Sequence, residues 1–246
     1  MHSTGSGETY GSAHITERQI WLHDAQQRAS QPSPAEKSSN YRFLTISRQA
    51  GSLGDQVAGE LAHRLGWHVY DKEIVDAIAE DNRVRQNLVE ELDERSQNLV
   101  HDTVQRFLRM AEGYSFGIQE YHEALLKTLA LLAARGKAVL VGRGANFVLH
   151  GASCGIHVRI TADTDVRIQR MAKAWDTSPE NARRRLQQMD KDRRDFIRQH
   201  FRQDPDDPRF YDAVFRTDIL SLQEVADAVL ALLSGFGERP LESRRR

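Results

Sequence analysis

The fold is read from Arg42 to Lys72, RFLTISRQAGSLGDQVAGELAHRLGWHVYDK. Phe43 to Ile46 is a short apolar run of the length expected for a buried strand. Gly51-Ser52-Leu53-Gly54 makes a tight turn, and Val57, Leu61 and Leu65 then recur at helical spacing. Gly66 stops that helix, and Trp67 to Tyr70 forms a second short strand ending on Asp71. Strand, glycine loop, helix and strand in this order open a parallel α/β sheet. The loop after the first strand of such a sheet is where phosphate binds, because helix N-terminal N–H groups and the helix dipole both favour an anion.

Outward from this stretch, residues 1–40 read as a mostly disordered arm, rich in Ser, Gly, Thr and His at its start, with a short helix over 15–29. Ser30 to Asn40, with Pro32 and Pro34, reads as a linker, and the arm is a candidate contact for a homodimer. Residues 41–234 form the α/β domain, and 235–246 a flexible basic tail. After Asp71 a charged, helix-favouring region extends to about Met110, interrupted over Gly113 to Gly117. Glu120 to Arg135 is an apolar helix closed by Gly136. Strands are expected at Ala138 to Val141, Gly155 to Ile160 and Tyr211 to Phe215. Helices are expected over Asp165 to Ala174, after a Ser178 cap with Pro179 in the first position, and over Ser221 to Leu233. A parallel five-stranded sheet flanked by helices, with helical inserts at two points, accounts for this order.

Composition narrows the class. At 246 residues and 28.0 kDa the chain can hold one well-buried domain plus an appendage. A formal charge of -1 gives no field that favours nucleic acid or an anionic membrane. The single Cys154 cannot close an internal disulfide, which fits a reducing cytoplasm. The start of the chain lacks an apolar signal-peptide core, and no apolar run approaches the roughly 20 residues of a bilayer span. A cytoplasmic protein with small-molecule partners is therefore expected.

Five segments carry a resemblance: ISRQAGSLGDQVAGELAHRLGWHVYDKEIV, LVGRGANFVL, ITADTDVRIQRMA, DKDRRDF and YDAVFRTDILSLQEVADAVL. Together, from about Phe43 to Leu233, they resemble the cytidylate-kinase-like family of P-loop proteins, itself similar to the bacterial cytidylate kinases. The resemblance implies a three-layer P-loop kinase fold with a helical acceptor-binding insert and an arginine-rich lid. It further implies ATP with Mg²⁺ as donor and a nucleoside monophosphate, cytidine-type, or another small phosphate acceptor.

The loop supplies candidate donor-binding residues Arg48, Gly51, Ser52, Leu53, Gly54, Asp55 and Gln56. A standard phosphate loop ends in Lys and Ser/Thr; Gly54 stands where the Lys would be and Asp55 where the Ser/Thr would be. Loss of one preorganised cation at a transferring phosphoryl group costs about 3–4 kcal/mol. Asp55 holding Mg²⁺, or Arg48 swinging over the loop, would compensate. Asp55 as a simple helix cap is the bland alternative.

By the resemblance, Asp71 contacts the acceptor, though it can equally cap the helix beginning at Lys72. Arg143, flanked by Gly142 and Gly144, can grip the acceptor phosphate through two parallel hydrogen bonds. The cytidylate kinases carry an Asp where Gly144 stands. By the same resemblance, Arg167 and Arg170 match the first lid arginines, and Arg193 or Arg194 the later ones. Arginines that converge on closure stabilise transferring charge, whereas a solvated helix face is the ordinary alternative. The expected activity is ATP-dependent phosphoryl transfer to a CMP- or dCMP-type acceptor. The rivals are a catalytically impaired nucleotide-binding regulator and a kinase for another small molecule.

Overall fold

The computed structural model describes residues 42–111, 120–152 and 154–237, all within the unit Lys37–Arg246. The arm helix over 15–29, the arm as a dimer contact and the glycine break at 113–117 lie outside the described residues.

Five strands form one all-parallel sheet: β1 (Phe43–Arg48), β2 (His68–Tyr70), β3 (Ala138–Val141), β4 (Gly155–Thr161) and β5 (Ala213–Arg216). Their spatial order is β2-β3-β1-β4-β5. Phe43 lies beside Ala138 and Gly155, and Ile46 beside Val141 and Val158. The chain passes from β1 to the edge strand β2, returns to β3, and then crosses to β4 and β5 on the other side, so the carboxyl end of β1 lies at the switch point where open α/β sheets place ligands.

Both faces of the sheet are covered, which is why β3 is apolar throughout and the first four residues of β1 are apolar but for Thr45, rather than alternating. One face carries Phe43 and Leu140, with Phe147 from the segment after β3 in the same cluster. It packs on α5 (Glu120–Arg135), whose Leu125, Leu126, Leu129 and Leu132 are all buried. The other face carries Leu44, Ile46, Val139 and Val141. These meet Val57 and Leu61 of α1 (Gly54–Leu65) and Val225 and Val229 of α9 (Leu222–Gly237). Truncating any such leucine to alanine typically costs about 2–5 kcal/mol.

The region after Asp71 is not one long helix but three, α2 (Lys72–Glu80), α3 (Asn82–Glu90) and α4 (Glu94–Ala111). Asp81 makes the first break: its extended backbone ends α2, and its carboxylate accepts the Arg83 and Val84 N–H groups that open α3. Asp93 makes the second, accepting from Ser96 N at 2.7 Å. A short helix, α6 (Ala145–Val148), follows β3. After β4 come α7 (Thr164–Ala174) and the long α8 (Pro179–Phe201), capped by Ser178 as expected. The last strand starts at Ala213, later than expected, because Pro208–Phe210 is a 3₁₀ turn. The final helix runs to Gly237, past the expected boundary at residue 234.

Candidate active site

Every feature of the phosphate loop is anchored from outside it. Ser52 is fully buried, with its Oγ 2.9 Å from Gln49 O and 3.2 Å from Ile160 O. Thr217 Oγ1 donates to Ser52 O at 2.8 Å, tying the loop to the segment after β5. Leu53 takes the left-handed conformation (φ 60°) as the residue before α1 and makes no side-chain cap. Asp55 is thus in the first turn rather than at the cap, and both it and Gln56 are exposed. The N–H groups of Leu53, Gly54, Asp55 and Gln56 meet no acceptor among the described residues. A phosphate fits that run of donors.

The cation beside the loop is Arg48. Its Nε donates to Asp55 Oδ1 at 3.0 Å, and only 12% of its side chain is exposed. A Cβ on Gly54 would fall 2.5 Å from Arg48 Cβ, and one on Gly142 would fall 2.5 Å from Arg48 Nη1. These two glycines therefore form the slot that holds the arginine. Arg193 Nη1 donates to Arg48 O at 3.1 Å. Burial and then the Arg48 charge push the Arg193 pKa down, and the nearby Asp55 and Asp190 carboxylates offset only part of this.

Arg48 and Arg193 line a cleft of about 430 Å³ at the carboxyl edge of the sheet, together with Lys72, Arg143, Arg159 and Arg194. Glu73, Asp190, Asp192 and Asp206 are the acids on the same walls. Arg143 sits at φ 50° between Gly142 at φ 80° and Gly144 at φ 69°, a turn that throws its side chain across the cleft. Asp76 grips it with both oxygens: Oδ1 accepts from Nε at 2.6 Å, and Oδ2 pairs with Nη2. Tyr121 donates to the same Oδ1 at 2.8 Å, and the Phe196 ring covers the guanidinium at 4.4 Å. Burial works against the Arg143 charge, but the Asp76 hydrogen bond and charge outweigh it and raise its pKa.

Arg159 enters from β4, donates to Ser47 Oγ at 2.9 Å, pairs with Asp206 and stacks over Tyr211. Neither Asp76 nor Arg159 was among the residues singled out by sequence. The signal was slight: an acid inside the apolar turn IVDAIA, and an arginine inside the strand GIHVRIT.

The other expected residues are placed as follows. Asp71 accepts Ile74 N at 3.0 Å, so it caps α2, with its pKa raised chiefly by burial, and it does not line the cleft. Arg167 donates to Ala50 O at 3.1 Å and to Asp190 at 2.5 Å, and Asp190 in turn accepts Ala50 N at 2.8 Å. Arg167 thus clamps the start of the loop. Arg170 points away, donating to Thr217 O at 2.6 Å. Arg194 lies 3.6 Å from Asp206 on the cleft rim. Gly144 has no room for the Asp of the cytidylate kinases, because a Cβ there would enter the Phe201 ring of α8.

For a divalent ion, no three His, Cys, Asp or Glu side chains converge among the described residues. Asp55, 63% exposed with one oxygen unpaired, fits only as a single carboxylate ligand to an ion carried by nucleotide phosphates and water. No helix among the described residues is long and apolar enough to cross a membrane.

The parallel sheet, the phosphate loop after β1 and the guanidinium-lined cleft define a P-loop kinase-type protein. The chain belongs to the cytidylate kinase-like family, whose model matches residues 43–219. Among solved structures, an uncharacterized protein from Eubacterium ventriosum is similar at 19% identity and a TM-score of 0.54, covering 78% of this chain and 98% of that one. Shikimate kinase from Acinetobacter baumannii, solved with shikimate, is similar at 16% identity and a TM-score of 0.43, covering 82% and 97%. YorR from Bacillus subtilis, solved with phosphorylated GDP, is similar at 12% identity and a TM-score of 0.43, covering 80% and 99%. At these identities the likeness is one of fold. No match is found among the curated proteins. Family membership supports a kinase-type phosphotransferase that uses a nucleotide.

Proposed function

We propose that the protein transfers the γ-phosphoryl group of ATP to a nucleoside monophosphate of CMP or dCMP type in the cytoplasm. The observation that carries this reading is the convergence of Arg48, Arg143 and Arg193, from a strand end, a glycine turn and a long helix, on one cleft. In the transfer, a phosphate oxygen of the acceptor bonds to the γ-phosphorus as the bond to the ADP oxygen breaks. Such chemistry rests on positioning and charge neutralisation rather than on a protein base.

Arg48 and the first turn of α1 hold the donor phosphates, Arg143 orients the acceptor phosphate, and Arg193 meets charge developing between them. Arg194 and Arg159 close the acceptor side. Asp55 would hold a magnesium ion brought with the nucleotide, which would supply neutralisation of the donor phosphates. Asp71 supports this arrangement by fixing the start of α2, which carries Asp76.

A second reading, a nucleotide-binding regulator impaired in transfer, is favoured by Asp190, whose carboxylate occupies the Ala50 N–H at the mouth of the loop. The test is direct measurement of diphosphate formation from ATP with magnesium and a panel of ribo- and deoxynucleoside monophosphates. Turnover on CMP or dCMP, lost in Arg143→Ala, supports the kinase reading. Mg-ATP binding with no transfer to any acceptor supports the regulator. Turnover with a different small phosphate acceptor would move the protein to another substrate class.

A further inference from the structure

Asn146 is a polar side chain of the cleft wall to which the transfer machinery gives no role. It lies in α6, is 4% exposed, and its Nδ2 is buried without a hydrogen-bond partner. A buried amide donor without a partner is costly, and folds rarely retain one unless something outside the chain satisfies it.

Its placement is rigid. Ala145 N donates to Gly142 O at 3.1 Å and Phe147 N to Gly144 O at 2.9 Å, so Arg143 and Asn146 are mounted on one closed turn. Phe147 beside it stacks on Phe201 with ring centroids 5.9 Å apart, which fixes the turn against the lid helix. The charged groups around it are otherwise engaged: Arg143 with Asp76, and Arg159 with Asp206.

A neutral amide is a poor competitor for phosphate beside six cations. It is suited to an uncharged group, to which it can offer a donor and an acceptor side by side, as asparagine does to a base edge. We infer that Asn146 recognises the uncharged part of the acceptor, its side-chain amide turning from its buried, unpartnered position to donate to a nucleobase carbonyl oxygen or ring nitrogen in the cleft. The inference rests on the acceptor site proposed above. It makes Asn146 a determinant of which acceptor is taken, while the arginines set only that it carries phosphate.

The experiment is calorimetric binding of CMP, dCMP, UMP, AMP and GMP, with orthophosphate as the probe of the arginines alone, to wild type, Asn146→Ala and Asn146→Asp. In both variants the preferred nucleotide is expected to bind about tenfold more weakly, with orthophosphate binding unchanged. Removing an unpartnered buried amide should leave the Asn146→Ala Tm unchanged or higher, a direction that a merely structural role would reverse. Equal nucleotide affinity in wild type and Asn146→Ala overturns the inference. So does equal weakening of nucleotide and orthophosphate, or a wild type that binds none of the five. The kinase reading fails separately: a nucleotide held through Asn146 but never phosphorylated removes transfer and leaves the recognition role standing.

Discussion

Arg48 occupies the space that a side chain at Gly54 would fill, with its Cβ and Cγ at 2.5 and 2.8 Å from that position. In the standard loop G-x-x-x-x-G-K the lysine comes six residues after the first glycine. Here the order is inverted, with arginine in the first place and glycine in the seventh. A cation stands beside the loop all the same, delivered from the end of β1, and Gly54 is small because the arginine lies across it. Arg48→Ala should therefore lower kcat/KM for ATP by about 10²–10³ with little change in Tm. The double substitution R48G/G54K restores the standard order and should recover at least about tenfold of that loss. Steady-state kinetics on the two variants decide it, and an Arg48→Ala enzyme with wild-type kcat/KM would remove Arg48 from the donor site.

Asp190 ties the lid to the loop through Ala50 N and Arg167, whose side chain is only 9% exposed. Removing one member of a largely buried ion pair leaves the other unpaired, at a cost of about 3–5 kcal/mol. Because Asp190 is itself partly exposed, Asp190→Ala should fall at or below the low end of that range in urea denaturation. The same change uncovers the Ala50 N–H and removes an acid from the loop mouth, so Mg-ATP should bind more tightly. Weaker nucleotide binding in this variant would instead make Asp190 part of the binding surface.

The contact between Asp76 and Arg143 predicts a split in kinetic constants. Asp76→Asn keeps the volume but loses the charge that orients the guanidinium, so the acceptor KM should rise about tenfold while the ATP KM holds. Arg143→Lys should not rescue Arg143→Ala, because a lysine cannot make the two parallel bonds. A rise in both KM values would point to loosening of the whole cleft.

What the sequence made legible follows from how each element is held. The runs at Phe43 to Ile46 and Ala138 to Val141 announce themselves because both faces of a parallel sheet are buried and every residue but Thr45 is apolar. The break at Asp81 was hidden, since DNRVRQ is as charged and helix-favouring as its surroundings and only the carboxylate's reach to the next two N–H groups ends the helix. Asp76 with Arg143 and Arg159 with Asp206 are separated by 67 and 47 residues, and pairs of that kind leave no periodic mark. Asp55 could be read either as a cap or as an ion ligand because the deciding partner, Arg48, reaches it only through the glycine slot.

His157 makes stability depend on pH. It is buried on β4, its Nδ1 is 2.8 Å from Thr45 Oγ1, and its Nε2 has no partner. Burial pushes its pKa down from 6.5 to about 4. The folded protein therefore keeps it neutral at a pH where the unfolded chain has already taken up a proton. Its contribution to stability is complete above pH 6.5 and is lost as the pH falls from there toward 4. A shift of that size is worth about 3 kcal/mol in total. His122, His150 and His200 are shifted the same way by burial and add to the slope. The Tm of wild type should fall steadily between about pH 6.5 and 4, in the window set by this shift. His157→Asn, which can keep a bond to Thr45 without titrating, should start lower at neutral pH and lose less on acidification. Parallel Tm profiles for the two proteins would show that protonation of His157 is not what the fold resists.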